Sequence, residues 1–155
     1  MKLLARRLRI IIPAILISQI AIADDKLEID DAWIAEAPPA SAVMAAYMEI
    51  ENETGQDRQA VSMQCDEFDR AGFHRTVEKD GMARMEHQQV LNIPANSELK
   101  LEPGGYHIML FNPARHLMAG DKTSCSMKFD DGTMITIGLE IRKSSDEDHS
   151  HHHPQ

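Results

Sequence analysis

The chain has 155 residues, 43% of them hydrophobic, with 25 Asp plus Glu against 16 Lys plus Arg and a formal net charge of −9. That length suits one domain with one sizeable core. An acidic surface disfavours phosphate backbones and anionic membranes, so nucleic acid is excluded as a natural partner and cations are attracted.

Residues 1–23 read as a signal peptide. Lys2, Arg6, Arg7 and Arg9 form a positive n-region, Ile10 to Ile22 is an apolar run, and Ala21-Ile22-Ala23 offers an A-x-A cleavage site before Asp24. An uncleaved anchor is the alternative, but the run is short for a spanning helix. Cleavage would leave 132 residues with 12 basic against 25 acidic side chains, a formal charge of −13. Export to the periplasm is therefore expected, with no stable membrane insertion after cleavage.

Strands dominate the chain beyond residue 25. Lys26 to Ile34 is a first strand carrying Trp33, and Ala37-Pro38-Pro39-Ala40-Ser41 is irregular because proline donates nothing to a ladder. Val43 to Glu51 alternates, with Met44, Ala46, Met48 and Ile50 on one face. The next strand puts Val61, Met63 and Cys65 together. Thr123, Cys125, Met127 and Phe129 share a face, Asp131-Gly132 turns the chain, and Thr133, Ile135, Ile137, Leu139 and Ile141 form another apolar face. Nothing in this region holds a 3.6-residue apolar period over ten residues, so the fold class is all-β, an antiparallel sandwich or barrel over residues 24–142. Cys65 and Cys125 both point inward and, in an oxidising compartment, form a disulfide candidate; two buried free thiols are the alternative.

The chemistry concentrates between His74 and Met109. Asp80-Gly81 marks a two-residue type I′ hairpin pairing Lys79 with Met82, Thr76 with Met85 and His74 with His87. His74 and Met85 then become diagonal neighbours on one face, within reach of long side chains. His107 and Met109, after Pro103-Gly104-Gly105, sit at i and i+2 and point the same way, opposite Ile108 and Leu110. Both pairs fall on the face away from the better core residues, where an accessible site is expected. Two thioethers with two imidazoles favour Cu(I). Zinc ordinarily takes thiolate, imidazole or carboxylate, and calcium an oxygen cage that is missing here. Each ligand alone is weak, since a lone Met on a strand is usually core filler.

The spacing His-x10-Met-x21-His-x-Met resembles the copper-binding motif of the periplasmic copper chaperones of the PCuAC family. DAWIAEAPPASAVMAAYMEIEN and LEPGGYHIML are similar to segments of that family as well. The resemblance implies a cupredoxin-like, antiparallel Greek-key β-sandwich that holds Cu(I) through His74, Met85, His107 and Met109. It also implies a carrier, not an enzyme, that delivers copper to a cytochrome oxidase subunit or another copper chaperone, or serves copper homeostasis. Ala83 stands where many members carry a further Met, and Cys65 and Cys125 are not family ligands. His87, and His116 with Met118, are auxiliary ligand candidates.

Residues 143–155, KSSDEDHSHHHPQ, have nothing to bury and read as a disordered His-rich tail. His149, His151, His152 and His153 behind Asp146-Glu147-Asp148 suit Cu(II), Ni(II) or Zn(II) and form a second metal-site candidate; an expression remnant is the alternative. Two other functions compete with a carrier. A blue-copper redox protein needs a Cys with two His, and Cys125 is followed by no histidine until the tail. A metal-free adhesion or assembly domain would leave the ligand spacing a coincidence.

Overall fold

The computed structural model describes residues 26–143. The expected signal peptide and the four tail histidines lie outside those residues.

Ten strands and no helix make up the described chain: β1 Leu27–Ala35, β2 Val43–Asn52, β3 Arg58–Cys65, β4 Phe68–Lys79, β5 Met82–Gln88, β6 Leu91–Ile93, β7 Ser97–Leu101, β8 Tyr106–Pro113, β9 Lys122–Phe129 and β10 Met134–Arg142. They hydrogen-bond in the order β5-β4-β8-β7-β2-β1-β10-β9-β3-β6, with β2 also pairing β8. The arrangement is the expected all-β, cupredoxin-like sandwich. It departs from a purely antiparallel design in two places: β7 and β8 meet in parallel at Leu101 and Tyr106, and the first and last strands, β1 and β10, run parallel, Trp33 opposite Glu140 and Ala35 opposite Arg142. Hairpin signals cannot report the second pairing, because the two strands lie at opposite ends of the domain's sequence.

Alternation builds the core. Along β2 every second residue from Met44 to Asn52 is buried, and along β9 Thr123, Cys125, Met127 and Phe129 are. These inward rows join Ile34, Ile108, Leu110, Leu139 and Ile141 in one cluster. In β3 the alternation slips. A register shift between Ala60 and Ser62 buries Ala60 and leaves Val61 half-exposed, so Val61 does not share the inward row of Met63 and Cys65. A bulge of this kind adds one residue to a strand and flips the face beyond it. Cys65 and Cys125 stand opposite each other across β3 and β9 and are disulfide-bonded.

Asn52 ties the loop after β2 to the end of β6 and the turn that follows it. Its side-chain amide donates to the carbonyls of Gln56, Ile93 and Pro94 at 2.9–3.0 Å, while its oxygen accepts from the Thr54 amide and hydroxyl. A fully buried amide is tolerated because both of its ends are satisfied.

Candidate metal centre

The β4–β5 hairpin has the anticipated register. Lys79 pairs with Met82, Thr76 with Met85 and His74 with His87. Asp80 and Gly81 both take positive φ, 54° and 74°, as a type I′ turn requires. On its other side β4 pairs β8, placing His74 opposite His107 and Gly72 opposite Met109. β2 then places Ala45 opposite Met109. One face of three adjacent strands thus carries Met85 on β5, His74 on β4, and His107 with Met109 on β8. Ile108, Leu110 and Phe73 occupy the reverse face and are buried.

Three of the four side chains, Met85, His107 and Met109, line a single cavity of about 270 Å³ with Tyr47, Thr76 and Pro103. The fourth is alongside: the rings of His74 and His107 stack at 6.0 Å between centroids, 22° apart. Accessibility is uneven across the face. Met85 is 65% exposed, whereas His107 is only 5% exposed. The expectation of an openly accessible face therefore holds for Met85 and fails for His107. Period-2 alternation reports which face a residue takes, not how deep its neighbours leave it.

Both imidazoles are oriented by the same local bond. His74 Nδ1 lies 3.1 Å from the Gly72 carbonyl, and His107 Nδ1 lies 3.1 Å from the Gly105 carbonyl. A carbonyl oxygen can only accept, so each Nδ1 carries a proton, and in the neutral ring the lone pair falls to Nε2. His107 Nε2 is buried and has no hydrogen-bond partner. A buried polar atom without a partner costs about 1–3 kcal/mol, and a metal is one of the groups that can satisfy it. Burial is the main cause holding His74 below the ordinary imidazole pKa; its bond to Gly72 opposes this, and His87, His107 and Arg70 lower it further. A proton competes less well for such a lone pair. Two imidazole Nε2 atoms and two thioethers are thus the donors this face would offer, a set that fits a soft monovalent metal.

Of the auxiliary candidates, His87 stands edge-on to His74 at 5.2 Å between ring centroids. His116 lines a separate cavity of about 400 Å³ with Pro38, Asn112 and Arg115, and so does not join this group. Met118 is exposed and its backbone N–H donates to Asp121. Gly72 was missed by sequence reasoning. It has no side chain to bring, yet its missing Cβ is what lets the His74 ring fold back over the strand, 3.3 Å from where that Cβ would be.

Residues 27–141 match the LpqE-like family, whose description is "Putative lipoprotein LpqE-like". The chain belongs to that family. Among its relatives, a protein of Leifsonia xyli subsp. xyli named "Putative lipoprotein Lxx21020" is 31% identical over 122 residues, 78% of this chain and 72% of that one. An uncharacterised protein of Rickettsia prowazekii is 28% identical over 98 residues, 63% of this chain and 54% of that one. Among solved structures, the Cu(I) form of DR1885 from Deinococcus radiodurans superposes with a TM-score of 0.62 at 29% identity, covering 74% of this chain and 76% of that one. The copper-bound PCuAC domain of PmoF2 gives 0.66 at 17% identity, covering 77% and 94%. This LpqE-like domain thus has the fold of PCuAC domains, as the motif resemblance implied.

Proposed function

We propose that this LpqE-like protein is a periplasmic copper carrier that binds Cu(I) through His74 Nε2, His107 Nε2 and the sulfurs of Met85 and Met109. The observation that carries the reading is the buried, unpartnered Nε2 of His107 at the wall of a cavity lined by both thioethers. The copper-bound state of two structural neighbours supports the choice of metal. Thioethers and neutral imidazoles bind Cu(I) without the thiolates that an oxidising compartment would convert to disulfides. The exposure gradient supports transfer by ligand exchange. An acceptor ligand would displace the outlying Met85 first, and the buried His107 would release last.

Delivery to the copper centres of a respiratory cytochrome oxidase, directly or through another copper chaperone, is the destination we propose, with copper homeostasis as the wider role. Such a carrier performs no turnover and is not an enzyme. Export of the chain accords with the lipoprotein name of its Leifsonia relative. A second site at His149, His151, His152 and His153 would take Cu(II). A blue-copper reading is disfavoured because Cys65 and Cys125 are bonded to each other. Replacing both His107 and Met109 by Ala tests the proposal. Cu(I) retention against a competing chelator should be lost while the domain stays folded; unchanged retention refutes the assignment.

A further inference from the structure

A second group of sulfur side chains lies inside the sandwich, apart from the ligands on the hairpin face. β3 and β9 pair Met63 with Met127 and Cys65 with Cys125 in consecutive inward positions. Directly opposed side chains on one face have Cβ atoms about 4.5–5.5 Å apart, and i, i+2 neighbours follow along each strand. Four sulfur-bearing residues therefore occupy the corners of one cross-strand rectangle, and all four are buried. Met44 and Met48 also fill the core, but Met63 and Met127 each stand two residues from a cysteine on the same inward face. A route in exists at one corner. Cys65 is the last residue of β3, is 9% exposed against 2% for Cys125, and borders a cavity of about 350 Å³ with Asp66, Asp69 and Arg70.

We infer that the Cys65–Cys125 disulfide caps a second, redox-gated Cu(I) site, formed by the two cysteines with Met63 and Met127 once the disulfide is reduced. The reductant is a dithiol. Its thiolate attacks the more accessible Cys65 sulfur, a mixed disulfide forms, and the second thiol resolves it, leaving the reductant oxidised. Two electrons and two protons end on the cysteines as two thiols. Cu(I) then displaces those protons and becomes bis-thiolate bound, with no change in its own oxidation state. Thiolates and thioethers are the soft donors that select Cu(I). Re-oxidation of the pair to the disulfide by a disulfide oxidant removes the thiolates and expels the metal. This site goes beyond the carrier reading and stands or falls separately from it.

The test removes the surface ligands first, using the full domain with His107→Ala and Met109→Ala. Oxidised, this protein should hold no Cu(I) against a competing chelator. Reduced with a phosphine, it should hold one equivalent and show thiolate-to-Cu(I) charge-transfer absorption. Adding Cys65→Ser and Cys125→Ser should abolish that equivalent. Adding Met63→Leu and Met127→Leu, which keeps the disulfide and the core volume, should weaken retention by tenfold or more. Trp33 fluorescence and near-ultraviolet circular dichroism monitor the fold throughout. The inference is overturned if the reduced protein holds no copper, if the serine variant holds as much, or if copper is held only after the tertiary signal is lost. Failure of wild-type oxidised protein to bind Cu(I) would instead count against the surface site alone.

Discussion

Gly72→Ala separates the metal site from the stability of the sheet. An added Cβ would sit 3.3 Å from His74 Cε1 and 3.8 Å from its Nδ1, with Phe111 Cε2 at 3.9 Å. Carbon atoms prefer about 3.5–4.0 Å, so the imidazole must retreat by a few tenths of an ångström. That movement stretches the 3.1 Å bond from Nδ1 to the Gly72 carbonyl, which sets the ring's tautomer and direction. Disturbing such an orienting bond costs about 10–100-fold in metal affinity; for a shift this small the lower end applies, about tenfold or ~1.4 kcal/mol. The strand itself should gain. Replacing a mid-strand glycine by alanine removes unfolded-state entropy and contributes about 0.5–1 kcal/mol. The expected outcome is thus opposite in sign for the two properties. Thermal unfolding of the apo domain should show an unchanged or slightly higher midpoint, while chelator competition shows weaker Cu(I) binding. Affinity within twofold of wild type, with the fold intact, would mean that the fold-back of His74 over Gly72 plays no part in binding.

Other parts of the sandwich give three more expected outcomes. Reducing the Cys65–Cys125 bond, whose cysteines are 60 residues apart, should cost about 4 kcal/mol by the chain-entropy account and lower the denaturant midpoint accordingly; a shift below about 1 kcal/mol would show that the reduced chain retains most of its constraint. Asn52→Ala should destabilise by about 2–4 kcal/mol, because the carbonyls of Ile93 and Pro94 lose their buried donor, with Cu(I) affinity unchanged. The Asp121 carboxyl, held below its ordinary pKa of 3.8 by the Met118 N–H and then by Arg115, should titrate below that value by NMR. Its contribution to stability is present above the ordinary value and lost as pH falls through the depressed one, so Asp121→Asn should reduce the acid dependence.

Much of the site could be read from the chain because hairpin chemistry is local. Asp80-Gly81 alone determines the register that brings His74 and Met85 to one face, and His107 and Met109 share a face by period-2 alternation. The β4–β8 pairing that stacks His74 on His107 was not readable, since it joins strands separated in the chain by β5 and two short strands. Those short strands, β6 and β7, were missed because three to five residues hold too little alternation to stand out. The bulge between Ala60 and Ser62 went unseen for a related reason: Val61, Met63 and Cys65 alternate as well on paper as Ala60 does in the fold. His107 is buried although it stands on the ligand-bearing face, where Tyr47 and Pro103 line the same cavity, and sequence pattern does not encode that depth.

X-ray absorption at the copper edge on the Cu(I)-loaded, oxidised protein reads the metal's ligand shell itself. The expected spectrum is a mixed shell of two imidazole nitrogens and two sulfurs, with the sulfur contribution reduced by Met85→Ala and again by Met109→Ala. A shell without sulfur, or one whose sulfur survives both substitutions, would contradict the proposed site.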